Sequence, residues 1–379
     1  MSKIDIRSGR REFLRAAGVV ALGGAASGLL PRRLTAVGCR SMVKRGNPSQ
    51  LNVVAIGDSI MWGQGLLDAH KFTFRARDWL AARMSVPATL SVFARSGAII
   101  GAGPSGSEPN CWVAGEIPDS NPTVWLQANV AAGNPQSSGC ILPTRPAVPA
   151  LDVDLVLVDG GINDIDVTSI LDPTGAPMAT LVHDAAETRM EWLLTNLPAL
   201  FPNAKFVVTG YFPIVSTQTD LGELGKLLAA FGLAVGALVG GPGGAVTGGI
   251  IAAAATPSAR SALASRSMEF HSLVSAALQR CVDRANARVK RDDFAFAEPG
   301  FGPANAYAAP QTWLFKVGEE DPARAGRVPA CRAAYGELNL DPDRIKCWNA
   351  SMGHPTPNGA DAYSRSVTAA LETLFPFCP

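Results

Sequence analysis

Short apolar, β-prone runs recur along the chain at Asn52–Ile56, Leu90–Phe93, Leu155–Val158, Phe206–Thr209 and Phe294–Ala297. Each is continuous rather than alternating, the pattern of a strand buried on both faces. Helical periodicity fills the chain between them. Val182, Ala186, Met190, Leu193 and Leu197 form one apolar stripe, and Tyr363, Val367, Leu371 and Leu374 form another near the C-terminal end. Strands of this kind alternating with such helices predict a three-layer α/β/α sandwich with a mostly parallel central sheet, of the flavodoxin-like kind. In such a sheet, functional side chains collect at the carboxyl ends of the strands.

Three segments break the alternation: residues 100–150, 216–257 and 298–345 are rich in Gly, Pro or Ala and poorly periodic. They read as loop insertions into one domain, because each is too short for a core of its own. The middle one contains an uncharged run between Lys226 and Arg260, with Gly232, Gly236, Gly240, Gly244 and Gly248 on one helical face. Close helix packing is one reading of that face. Pro242 and the paired glycines interrupt a continuous helix, so a hairpin of two short helices is expected. Residues 227–256 then pack as a Gly/Ala hairpin, cover a lipidic substrate as a lid, or contact a membrane.

Composition adds a compartment to this picture. Before residue 46 there are ten Lys or Arg and two Asp or Glu, leaving 23 basic against 30 acidic residues and a net charge of about −7 for the rest. That balance gives no concentrated basic face for phosphate and argues against nucleic acid as a partner. Ser8-Gly9-Arg10-Arg11-Glu12-Phe13-Leu14, followed by an uncharged small and apolar stretch over 16–30, resembles a twin-arginine export signal. Residues 1–48 are therefore expected to be signal and linker, and residues 49–379 the exported domain. Cys39, in Ala36-Val37-Gly38-Cys39, is a candidate for lipidation and a second route to membrane contact, although the usual Leu of a lipobox is absent.

Six further cysteines, Cys111, Cys140, Cys281, Cys331, Cys347 and Cys378, form an even set that fits three disulfides in an oxidising compartment. Cys111 with Cys140 is the preferred pair, since both lie in one irregular insertion. Buried free thiols are the alternative.

The candidate chemistry begins where the first strand ends, in Gly57-Asp58-Ser59. A serine at a strand-to-helix corner directs its hydroxyl into the crevice beside unpaired helix-start amides. An ordinary Asp-Ser helix cap has the same sequence. Three later features bear on the choice: Gly97 after the second strand, Gly161-Ile162-Asn163-Asp164 after the third, and His354-Pro355 before the last helix. His70, His183 and His271 fall in helical patterns, which leaves His354 as the natural base.

Together these blocks resemble, in order over residues 50–379, the SGNH hydrolases, also called GDSL esterases and lipases. The resemblance implies Ser59 as nucleophile, His354 as general base, and an oxyanion hole from the amides of Ser59 and Gly97 and the side chain of Asn163. Asp164 is a supporting residue in this reading. The chain departs from the family at Ser351, where an Asp usually stands three residues before the His. The backbone carbonyl of Ser351 is the expected orienter of His354, with Asp341 or Asp343 as alternatives. Hydrolysis of a carboxylic ester is the expected activity, with a lipidic substrate suited to the apolar insertion. O-deacetylation of a carbohydrate or cell-envelope polymer is a second reading, and a non-catalytic envelope lipoprotein that binds through the same fold is a third. No metal or cofactor is implied, because the histidines are scattered and no cysteine pair has zinc-site spacing.

Overall fold

The computed structural model describes residues 49–101, 123–134, 148–238, 257–335 and 347–376. The segment expected to be an export signal, residues 1–48 with Cys39, together with Cys111, Cys140, Cys378, Asp341, Asp343 and residues 239–256, lies outside the described residues.

Five parallel strands form one sheet in the order β2-β1-β3-β4-β5. They are β1 (Leu51–Ile56), β2 (Ala88–Val92), β3 (Leu155–Val158), β4 (Lys205–Thr209) and β5 (Phe294–Ala297). Each coincides with an expected apolar run to within two residues. Val53, Val54, Ala55 and all four residues of β3 are fully buried, as continuous apolar runs require when both faces are covered.

The helices α1 (Ser59–Trp62), α2 (Phe72–Met84), α3 (Val124–Ala131), α4 (Ile162–Ile165), α5 (Val167–Leu171) and α6 (Met178–Leu181) come first, and others follow. Those are α7 (Thr188–Leu200), α8 (Leu221–Leu238), α9 (Pro257–Val289), α10 (Arg324–Tyr335) and α11 (Pro357–Leu374). One face of the sheet is covered by α2 and α11, which also pack on each other, and α3, α7 and α9 pack together on the opposite side. The result is the three-layer α/β/α architecture that the alternation predicts. Both predicted stripes are buried, although Val182–Glu187 is wound as a π-helix between α6 and α7.

Each insertion contributes more to the framework than its composition suggests. Within the first, α3 is capped by Thr123, whose hydroxyl accepts the Leu126 amide at 3.1 Å, and it buries Val124, Leu126 and Ala128 in the core. The second was expected to be two short helices. Of that segment the described part is α8, 18 residues long, whose Leu224, Leu227 and Leu228 join the main core, while the rest of the expected hairpin, residues 239–256, lies outside the described residues. The third supplies α10 and a segment whose Leu314 bridges to Pro355.

Candidate active site

The strand order reverses between β1 and β3, where successive crossovers diverge to opposite sides and leave a crevice at the carboxyl ends. Ser59 follows β1 there, and Asn163 follows β3. Ser59 is the first residue of α1, is 6% exposed, and sits in a turn clamped from four directions. Asp58 caps α1 by accepting the Ile60 amide at 2.8 Å, and its other carboxyl oxygen accepts the Tyr211 hydroxyl at 2.7 Å. The Asp58 amide donates to Asp159 Oδ1 at 2.8 Å. Gln127 of α3 holds Gly57 by both ends of its amide, accepting from Gly57 N at 2.7 Å and donating to Gly57 O at 3.0 Å.

Across a sequence separation of 295 residues, His354 Nε2 lies 2.7 Å from Ser59 Oγ. Its Nδ1 lies 3.0 Å from the carbonyl oxygen of Met352. A carbonyl oxygen can only accept, so Nδ1 carries the proton and Nε2 is left to accept from the serine. The Ser351 carbonyl, expected in this place, is already engaged by the His354 backbone amide at 2.9 Å. The hydrogen-bond partner of the ring is instead the next carbonyl along the turn, that of Met352. Burial draws His354 down from 6.5 to about 4, against the upward pull of the Met352 and Ser351 backbone and Asp321, with Arg327 adding to the decrease. The ring is neutral at pH 7 and able to take a proton.

Ser351 has a different task. Its hydroxyl donates to Asp321 Oδ2 at 2.7 Å. Asp321 is paired through both carboxyl oxygens with Arg327, and both side chains are almost completely buried. Arg327 also reaches the Trp348 carbonyl at 3.3 Å. The carboxylate near the histidine loop thus comes from Asp321 in the third insertion and acts on that loop through Ser351. Backbone bonds from Gly353 N to Phe315 O and from Phe315 N to His354 O, both 2.9 Å, pin the same loop.

The expected oxyanion donors occupy neighbouring loops. Gly97 has φ +80°, a conformation that favours glycine, in the turn closed by Ala98 N to Arg95 O at 3.2 Å. Asn163 Nδ2 donates to Ala98 O at 2.9 Å, which fixes the amide plane and leaves its second N–H for another acceptor. Asp164 accepts Ile100 N at 3.0 Å and Arg189 Nη1 at 2.7 Å, tying the Gly97 loop to α4 and α7.

Of the cysteines, Cys331 and Cys347 form a disulfide between α10 and the segment leading to His354. Cys281 is a buried free thiol, not a disulfide partner. It lies on α9 with its sulfur 3.4 Å from the Glu187 carbonyl, and burial raises its pKa to about 11. The preferred Cys111–Cys140 pair lies outside the described residues. Sequence reading also missed Gln127, Asp159, Tyr211, Asp321 and Arg327. A glutamine inside the apolar run Val124–Ala131 and an aspartate directly ending the apolar strand Leu155–Val158 were the available signals for the first two.

No protein-family model matches the chain, and no curated protein matches it. Among solved structures the chain is similar to the extracellular lipase of Streptomyces rimosus, at 14% identity over 84% of this chain and 99% of that one, with a TM-score of 0.44. A phospholipase A1 of Streptomyces albidoflavus is similar at 14% identity over 84% and 98% of the two chains, with a TM-score of 0.43. A family two carbohydrate esterase of Clostridium thermocellum, in complex with cellohexaose, is similar at 13% identity over 85% of this chain and 64% of that one, with a TM-score of 0.39.

Proposed function

We propose that the chain is a serine hydrolase of carboxylic esters that works through an acyl-enzyme on Ser59. The observation that carries this reading is the 2.7 Å contact between Ser59 Oγ and His354 Nε2, with Nδ1 engaged by a backbone carbonyl. A hydroxyl and a neutral imidazole in that geometry form a nucleophile and its base. Ser59 Oγ attacks the ester carbonyl as His354 Nε2 takes its proton. The tetrahedral oxyanion is met by the amides of Ser59 and Gly97 and the free N–H of Asn163. His354 returns the proton to the departing alcohol, and water repeats the sequence to release the acid and restore Ser59.

A carbonyl on Nδ1 fixes the tautomer but stabilises imidazolium less than a carboxylate would, so turnover is modest in this reading. Export accords with the Cys331–Cys347 disulfide, which belongs to an oxidising compartment. Short-acyl, long-acyl and acetylated-sugar esters assayed side by side distinguish esterase, lipase and deacetylase forms of the proposal. Ser59→Ala is expected to abolish hydrolysis of all of them and to end labelling by a serine-directed phosphonate. Hydrolysis retained in Ser59→Ala would overturn the reading, and an unreactive wild-type Ser59 would favour a binding module instead.

A further inference from the structure

Beneath the Ser59 turn lie two buried carboxyl groups, linked by the bond from the Asp58 amide to Asp159 Oδ1 at 2.8 Å, that the reaction above does not use. Asp58 and Asp159 are both 0% exposed. Asp58 is fully engaged, with one oxygen on the Ile60 amide and the other on the Tyr211 hydroxyl. Asp159 Oδ1 accepts the Asp58 amide. Asp159 Oδ2 has no hydrogen-bond donor among the described residues. The side chain is confined as well, since a Cβ at Gly57 would fall 1.9 Å from Asp159 Oδ1.

Among the described residues, the groups that act most strongly on this pair carry no positive charge. They are Tyr211 after β4, Asp164 of α4 and Tyr363 of α11. Two adjoining carboxylates cannot both stay ionised in such a place, so the pair holds one proton between its members. The oxygen without a donor is the one that can carry it.

We propose that Asp159 is a positioning residue, held as the neutral acid with its Oδ2–H donated to Asp58, and that this shared proton locks the turn presenting Ser59. The proposal rests on Ser59 being the nucleophile. Burial raises Asp58 to about 6 and Asp159 well above the ordinary carboxylate range, the direction this arrangement requires. Loss of the proton sets a second negative charge against Asp58 and loosens the turn from below. Activity then declines on the alkaline side, where His354 is neutral throughout.

Asp159→Asn reproduces the neutral acid, with an oxygen for the Asp58 amide and an N–H for the Asp58 carboxylate. Asp159→Ala provides neither. The Ala variant is expected to lower kcat by roughly tenfold to a hundredfold with KM little changed, as misplacement of a reacting group does. The Asn variant is expected to recover kcat to within about threefold and to keep it through the alkaline range where the wild type declines. Infrared spectra of the wild type should show the carbonyl stretch of a buried carboxylic acid that Asp159→Asn lacks. Absence of that band, or an Asn variant as impaired as Ala at every pH while still folded, would overturn the proposal. If Asp159→Ala does not fold, the band and the Asn pH profile decide alone. Activity surviving in Ser59→Ala would instead refute the nucleophile, and the infrared result would still decide the protonation of Asp159.

Discussion

At Gly57 one methyl group stands between a closed turn and a broken one. Its backbone has φ +153°, and an added Cβ would also meet Met61 Cβ at 2.8 Å. Neither Asp159 nor the first turn of α1 can retreat without releasing Ser59. Gly57→Ala is therefore expected to cost roughly 2 to 4 kcal/mol by strain and overpacking, measured by chemical denaturation, with esterase activity falling in parallel. His354 gives a second prediction at this scale. Because burial favours its neutral form, the acid limb of kcat/KM should fall well below the ordinary histidine value of 6.5, toward about 4. The same depression makes this group's stability contribution fully present above 6.5 and lost as pH falls toward about 4, when the unfolded chain gains a proton that the folded site resists. An acid limb centred at 6.5 in a pH–rate profile would contradict this. Ser59 and His354 were legible in the sequence because side-chain identity and motif context mark them. The acceptor for Nδ1 was not, since any residue at position 352 supplies the same carbonyl.

Elements were read most accurately where burial leaves little choice. The runs at Leu155–Val158 and Phe294–Ala297 became strands with those same bounds, because continuous apolar runs of that length suit a sheet covered on both faces. The segments read as insertions misled because their important residues act at long range. Gln127 meets Gly57 across 70 positions, and Ser351 meets Asp321 across 30. Neither pairing has a local periodicity to betray it. The π-helical turn at Val182–Glu187 was invisible for the opposite reason, since Val182, Ala186 and Met190 remain buried through it. Helix α10 yields a prediction of its own. The Cys331–Cys347 bridge closes a 16-residue separation and joins α10, which carries Arg327, to the segment carrying Ser351 and His354. Closing a loop of that size stabilises by about 3 kcal/mol. Reduction, or Cys331→Ser with Cys347→Ser, should lower Tm and reduce kcat more than it raises KM. Unchanged kcat after verified reduction would show that the bridge does not hold the histidine loop.

On the scale of the molecule, the sheet order does what no single motif does. Placing β1 and β3 side by side, with β2 beyond one and β4 beyond the other, brings the Ser59, Gly97 and Asn163 loops to one rim. Alternating strands and helices predicted that architecture, and the crevice follows from it. Cysteine parity predicted less well, because Cys281 is sealed between α9 and the backbone of Glu187, where it behaves as an apolar filler rather than half of a bridge. The wide separation of Ser59 from His354 has one further consequence. A growing polypeptide exposes its hydroxyl nucleophile early in synthesis, yet that serine lacks a base until the stretch through His354 has left the ribosome and α11 has docked on α2. In the proposed reaction the pair of nucleophile and base is completed only with the last helix, so an unfinished chain is expected to be chemically silent toward esters.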